Sequence, residues 1–390
     1  MTLPATARLG EHVSFLSGFA FKSAFFNTEG EGLPIVRIRD VKAGRSDTYY
    51  SGEYDPKFIV SDGDYLIGMD GEFSLARWRG GKALLNQRVC KVESVSDRLD
   101  AGYLVRFLPS ALKAIEDATP FVTVKHLSVK ALRDIEIPLP PLAEQRRIAA
   151  VLDQVDALRA RRRQAAALLA DLAGSVFLDM FGGPSDILEN WPTRPLGDAL
   201  DFLTSGSRGW AKYYTDDPRV LFLRIQNVRG GELLLDDIAY VTPPQTKEAE
   251  RTRVRAGDVL LSITADLGRV AVVPEELGDA HINQHLAILR APSLNPNFLA
   301  EYISSPAGQR QILGRNRQAV KAGLNFDDVR SLRIPVPPRD MQDTFDRRLR
   351  ETRRTRDAHH VHLARLDELF ASLQQRAFTG QLWEHEPAQP

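Results

Sequence analysis

The sequence predicts an α+β chain: two tandem α/β modules with short twisted sheets, separated by two long antiparallel coiled-coil helices in a pseudo-two-fold repeat. Three observations predict it. First, the chain is written twice. Ile137–Pro141 reads IPLPP and Ile334–Pro338 reads IPVPP, an offset of 197 residues that also carries Asn86-Gln87 onto Asn283-Gln284, Leu127 onto Leu324, Gln145 onto Gln342 and Phe181 onto Phe378. Nearer the start of each half the offset is 187, as from Arg37-Ile38 to Arg224-Ile225, and from Gly63-Asp64 to Gly257-Asp258 it is 194. The drift corresponds to two loop insertions in the second copy. A period this long exceeds any solenoid unit and marks a duplicated module able to fold alone. Second, each half opens on short apolar, β-branched or aromatic runs broken by Gly, Pro and Asp, the pattern of strands and turns. Third, each half closes on a long run without proline and with at most one internal glycine, Gly174.

The elements follow in the same order in both halves. Strands are expected over Leu33–Ile38, Phe58–Val60, Tyr65–Ile67 and Arg88–Val92, and again over Val220–Ile225, Val259–Ile263, Arg269–Val273 and Leu286–Leu289. A helix comes next, near Tyr103–Asp117 and near Phe298–Arg315. The proline strand then ends each module, and Pro141 or Pro338 opens the long helix. From Leu142 to Phe181, and from Asp340 to Phe378, a rod of about 60 Å is expected at 1.5 Å per residue. A seam at alternating three and four spacing runs Ile148, Leu152, Val155, Arg159, Arg162, Ala166, Leu169, Ala173, Val176, and in the copy Phe345, Leu349, Thr352, Arg356, His359, Leu363, Leu366, Phe370, Leu373. Two rods of equal length with matching seams are expected to bury against each other. The domain boundaries expected are 1–141 and 183–338 for the modules, 142–182 and 339–380 for the rods, and 381–390 for a frayed tail. The stretch GGPSDILENWPTRP before the second module reads as a linker.

Composition narrows the function classes. A chain of 390 residues is long for one core. Its apolar and charged fractions are ordinary for a soluble protein, and no apolar run approaches the length needed to span a membrane. The start, MTLPATARLGEH, lacks a signal-type apolar stretch, so a cytoplasmic location is expected. The single cysteine, Cys90, lies in an apolar alternation and reads as a small core residue. Net charge is zero, which argues mildly against nucleic acid, but the cations are mostly arginine and clustered. No constellation for catalysis is found: no phosphate-cradling glycine loop, no HExxH, no cysteine pair for zinc, no GxSxG elbow, and no Pro-Pro pair with the neighbours an amino-methyltransferase needs. His359-His360-Val361-His362 reads as seam and flank of a helix rather than as a metal site.

The duplicated strand-rich module, each copy followed by a PLPPLAEQ-like opening of a long helix, resembles the specificity subunits of type I restriction–modification systems. LPPLAEQRRIAAVLDQVDAL (139–158) is similar to that family's first central helix. The stretches 63–92 and 257–289 are similar to the middles of its target recognition domains. The second helix departs from the pattern, with PPRDMQ in place of PPLAEQ. The resemblance implies a non-catalytic subunit without a cofactor of its own. Each target recognition domain would read one half of a bipartite site in double-stranded DNA. The paired helices would set the spacer and dock two DNA adenine methyltransferase subunits, with Ile148, Leu152, Val155, Leu169, Phe345, Leu349, Leu366 and Phe370 on the helix-pair and docking surface. S-adenosylmethionine would sit on those partners. ATP and Mg would belong to two restriction–translocase subunits where the system has them. The rival reading is a protein-docking scaffold without DNA readout of its own.

DNA reading asks for arginine, amide and hydroxyl groups on loops beside strands. The first module offers Lys22 and Ser23, then Arg37, Arg39, Asp40 and Lys42, then Met69, Asp70 and Arg77, and Lys125 for phosphate. The second offers Ser207 and Arg208, then Arg224, Gln226 and Asn227, then Thr264, Asp266 and Arg269, and Lys321. Residues shared by both copies, such as Asn86-Gln87 and Asn283-Gln284, are expected to serve architecture or to contact the DNA backbone. The arginine runs 159–163 and 347–356 are expected to face solvent or a partner.

Overall fold

A computed structural model describes residues 5–119, 125–184, 186–206, 208–315 and 323–382. The chain divides into two compact units, 1–163 with 361–390, and 164–360. This division differs from the boundaries expected from sequence. Each unit takes one module together with the end of one long helix and the opposite end of the other.

In the first unit a four-stranded antiparallel sheet runs in the order Val13–Ser17, Val89–Val95, Tyr65–Gly68, Leu75–Arg77. In the second, Phe202–Ser205, Leu286–Arg290, Val259–Ser262 and Val270–Val272 repeat that order. A second sheet lies beside each: five strands in the first unit and four in the second. A third feature lies in the stretch expected to be a linker. Thr193–Pro195 pairs antiparallel with the proline strand Arg333–Pro335, as Thr6–Arg8 pairs with Glu136–Pro138. Ile187 just before it is buried. The stretch is therefore the ordered first strand of the second module, and the proline strand is half of a two-stranded ribbon in each unit.

The insertion in the second copy is visible. Residues Val228–Arg229 and Glu232–Leu233 form a hairpin, where the first unit instead has a short helix, Ile38–Ala43. A second difference comes from one shared proline. Pro109 lies inside the continuous helix Ala101–Ala118, whereas Pro306 opens a new helix, Pro306–Arg315, after Pro296–Ser304 has ended. The single helix expected over the second stretch is thus two.

The long helices span Leu142–Phe181 and Arg339–Phe378. In the first unit Ile148 and Leu152 are buried in a core against which Phe370 and Leu373 pack, and Val155 is buried beside them in sequence. In the second unit Phe345 and Leu349 share a core with Phe177 and Phe181, the rings of Phe345 lying 5.5 and 5.7 Å from those of Phe177 and Phe181. The start of each helix thus packs with the end of the other, which is an antiparallel pairing. Leu169 and Leu366 are half-buried. The polar middle of the seam is also used. The guanidinium of Arg159 lies 4.4 Å over the Phe370 ring and bonds Asp367 at 2.5 Å. In the second unit Arg356 holds Glu232 of the inserted hairpin through two bonds of 2.5 and 2.9 Å, with Arg353 at 3.2 Å. These members of the arginine runs are bound within the fold, not facing solvent. One stretch of the first long helix is long and apolar enough to cross a membrane by length and composition alone, contrary to the expectation from sequence.

The copies meet their helices through the same glutamine. Gln145 is fully buried, accepts the Asp100 N–H at 2.8 Å and donates to the Pro140 carbonyl at 2.8 Å. Gln342 accepts the Asn295 N–H at 2.9 Å and donates to the Pro337 carbonyl at 2.8 Å. Cys90 is buried and its thiol is pushed up to about 12 by burial, as suits a core residue.

Candidate nucleic-acid interface

At one end of each four-stranded sheet the two copies build the same backbone frame. In the first unit the Met69 N–H donates to the Arg88 carbonyl at 3.0 Å, and the Leu127 N–H to the Met69 carbonyl at 2.7 Å. In the second, the Ile263 N–H donates to the His285 carbonyl at 2.9 Å, and the Leu324 N–H to the Ile263 carbonyl at 2.8 Å. An isolated bridge follows in both, Asp70 with His126 and Thr264 with Gly323. A close glycine contact recurs too. A Cβ on Gly18 or Gly206 would fall 2.1 Å from the carbonyl oxygen of Asn86 or Asn283, so only glycine lets these strands cross.

On this frame the side chains differ. Asp70 bonds Arg88 at 3.2 Å and His126 at 2.5 Å, and Lys42 reaches Glu72 at 2.5 Å. Lys125 donates to the Glu116 carbonyl. The first unit therefore gathers charge from four separate segments. At the equivalent place in the second unit Thr264 Oγ1 and His285 Nδ1 lie 2.5 Å apart, and Gln284 meets the other ring nitrogen at 3.1 Å. Beside them Asp266 and Arg269 pair at 2.6 Å on a hairpin where Ala265 has a positive φ of 63°. Such a backbone is costly for a residue with a Cβ.

The structure brings together Lys42, Asp70 and Lys125 in one unit, and Thr264, Asp266 and Arg269 in the other. Lys22, Ser23, Arg39 and Arg77 are exposed in the first unit, as are Arg208 and Gln226 in the second. Ser207 and Lys321 lie outside the described residues.

Several of the expected readers are framework instead. Met69 is a core residue, 4% exposed. Asp40 is buried, and its carboxylate accepts the Arg37 N–H at 2.9 Å, capping the helix that follows. Asn227 is 1% exposed and accepts the Arg224 N–H at 3.0 Å while donating to the carbonyls of Leu234 and Asp237. Asp40 and Asn227 thus perform one job at one position. Arg37 and Arg224 share their positions as well. The first bonds Asp40 and Thr48. The second donates to the Asp237 carbonyl at 3.0 Å and its carboxylate at 3.2 Å. Sequence had already shown Arg37-Ile38 repeating as Arg224-Ile225, and that repetition was the sign of a shared structural role.

Sequence reasoning missed Arg88, His126 and His285. A signal was present for two of them. Arg88 and His285 follow the shared Asn-Gln pair immediately, so a copy-variable residue sits on a copy-constant turn. His126 carries no such signal, because its meeting with Asp70 depends on tertiary structure.

The chain is similar to proteins already known. Residues 5–167 match the family model described as the type I restriction modification DNA specificity domain. The chain is 32% identical to the type I restriction enzyme EcoBI specificity subunit of Escherichia coli, over 94% of this chain and 83% of that one. It is 25% identical to the EcoKI specificity subunit of Escherichia coli strain K12, over 90% of this chain and 82% of that one. The crystal structure of a type I restriction-modification system S subunit from M. genitalium shares the fold, with a TM-score of 0.55 at 14% identity over 96% of each chain. So does a chain from a structural study of complex assembly and conformational transition in the type I R-M system, at 0.56 and 20%, over 98% of this chain and 100% of that one.

Proposed function

The chain belongs to the specificity subunits of type I restriction enzymes, and from that premise we infer that each of its modules reads one half of a bipartite DNA site. As such a subunit it determines DNA target recognition, is not itself catalytic, and assembles with other subunits of its system. The observation that supports the bipartite reading is the equivalent loop end of the two units. One backbone frame carries an Asp-Arg-His cluster in the first and a Thr-His pair in the second, beside a glutamine that both copies keep. Framework shared and edge chemistry different is what two readers of different half-sites need, since base choice lies in donors and acceptors at the groove.

We further propose that the antiparallel helices set the spacer between half-sites and dock two adenine methyltransferase subunits. Those subunits would carry S-adenosylmethionine and act on a flipped adenine. Restriction–translocase subunits, with ATP and Mg, would join where the system has them. The proposal places the chain in the cytoplasm, with its DNA.

The test is methylome sequencing of a host expressing the methyltransferase with and without this chain. A new bipartite methyl-adenine motif that depends on the chain is the expected result. A folded complex without chain-dependent methylation would favour the docking scaffold. Inserting four residues in both long helices should change the spacer, and an unchanged motif would refute the ruler.

A further inference from the structure

The second unit carries an arginine-lined groove, and the first unit has Ile59 and Ser61 where this groove has Arg253 and Arg255. The groove lies along the helix Lys247–Thr252 and the extended segment after it, and its cations are Lys247, Arg251, Arg253, Arg255 and Arg290. Its carboxylates are Glu250 and Asp279. Thr252 and Val254 are buried between the exposed arginines, so 251, 253 and 255 face outward together. Two residues on an extended strand advance about 6.6 Å, which puts Arg253 and Arg255 at a spacing of the same order as neighbouring phosphates along a DNA strand.

The duplication shows that the fold does not require these arginines. Arg253 bridges His281 as Ile59 pairs with Leu84. The Arg255 N–H bonds Asp258 at 2.7 Å as the Ser61 N–H bonds Asp64 at 2.9 Å. The same segment therefore holds its place in the first unit with isoleucine and serine. Lys57 stands where Arg251 does, and it is paired with Asp55 at 2.9 Å.

Some of the groove's charge is already committed. Arg290 is held by Asp258 through bonds of 2.6 and 2.8 Å, Arg253 is paired with Asp279, and Arg251 has Glu248 at 3.8 Å. Among the described residues Lys247 and Arg255 have no carboxylate partner. The groove also has a direction. Arg251 donates to Thr204 and, at 2.6 Å, to the Ser205 carbonyl, on the strand that leads into the loop carrying Arg208.

We propose that this groove is a phosphate rail: Arg253 and Arg255, with Lys247, bind the DNA backbone without regard to sequence and add a salt-dependent contribution that the equivalent Ile59 and Ser61 of the first unit do not make. The proposal rests on the DNA-reading function above and adds a division of labour to it. Arginine suits the role because its planar fork binds phosphate oxygens in pairs. An ion pair as exposed as Arg253–Asp279 contributes little to stability, so a phosphate can take the place of the carboxylate.

The test uses the full chain in complex with its methyltransferase subunits. The variant carries Arg253→Ile and Arg255→Ser, which are the first unit's own residues at those positions. Binding to a random-sequence duplex and to DNA containing the methylated motif is measured across a salt series. The expected result is a fall of about 2 in the slope of log K against log salt. Both DNAs should weaken by the same factor, and the methylated motif should be unchanged. An unchanged slope in a complex that still binds DNA overturns the rail. An altered second half-site would make these arginines base readers, and loss of complex assembly would make the groove a protein-docking surface; either overturns it. Failure of the unsubstituted complex to bind DNA in a salt-dependent way is a different result, and it would sink the functional reading itself.

Discussion

At the same turn of the same fold, the first unit sets an ion cluster and the second a nearly neutral one. Met69, Arg88 and Leu127 are joined by the same two backbone bonds as Ile263, His285 and Leu324. Yet Asp70, Arg88 and His126 face out from one, and Thr264 and His285 from the other. The Asp70–Arg88 pair is half-exposed on its arginine side, and exposed pairs contribute about 0–1 kcal/mol. Stability therefore gives little reason for the cluster. What the comparison teaches is that backbone and buried amides carry the geometry, leaving the edge free to differ.

The comparison can be broken most forcefully in the core. Ile148 and Phe345 occupy one position in the two copies, but Phe345 sits among aromatic rings. Phe345→Ala should cost about 3–5 kcal/mol and Ile148→Ala about 2–5, read from denaturant unfolding of the complex. A Phe345→Ala cost under about 1 kcal/mol would mean that the second unit's aromatic cluster does not hold the helix ends.

Next come the paired glutamines. Gln145→Ala and Gln342→Ala each strand a buried backbone donor and acceptor, so each should cost about 1–3 kcal/mol and leave the methylated motif alone. A motif changed by either would blur the line between framework and reader.

A sharper and smaller effect is expected at the edge. Asp70→Asn should alter base preference at one position of one half-site by about 1–3 kcal/mol of discrimination, with stability moved by less than about 1 kcal/mol. Equal change in both half-sites would place Asp70 outside the reading surface.

The smallest effect concerns pH. His281 is buried where the first unit has Leu84. Burial, and then the nearby Arg253, hold its ring below the ordinary histidine value. The unfolded chain thus binds a proton that the folded one refuses, so stability is lost as pH falls from about 6.5 toward the folded value. His281→Leu should flatten that part of the stability–pH curve, measured by unfolding at a series of pH values. A slope unaltered by the substitution would assign the effect elsewhere.

Much of this was legible in the residues. The repeat, the long helices and their seams could be read because helix continuity and heptad spacing are local patterns. Gln145 and Gln342 were legible as a repeated pair, and identity between copies marks what both folds need, but their hydrogen bonds appear only in the structure. The same rule, applied to Arg37 and Arg224, would have placed them in the framework. The two-stranded ribbon at 193–195 was not legible, because its partner lies far along the chain and the segment reads locally as turn-forming.

By itself, then, the sequence determined a duplicated module, most of its strands, and two long helices with matching seams. Only the tertiary structure decided which polar residues are spent. Asp40 and Asn227 read as base readers until their hydrogen bonds are counted, and Arg88 and His126 read as bystanders until Asp70 is found between them. Periodicity is written in near neighbours. Satisfaction of a buried polar group depends on partners brought from distant segments, and those appear only once the chain is folded.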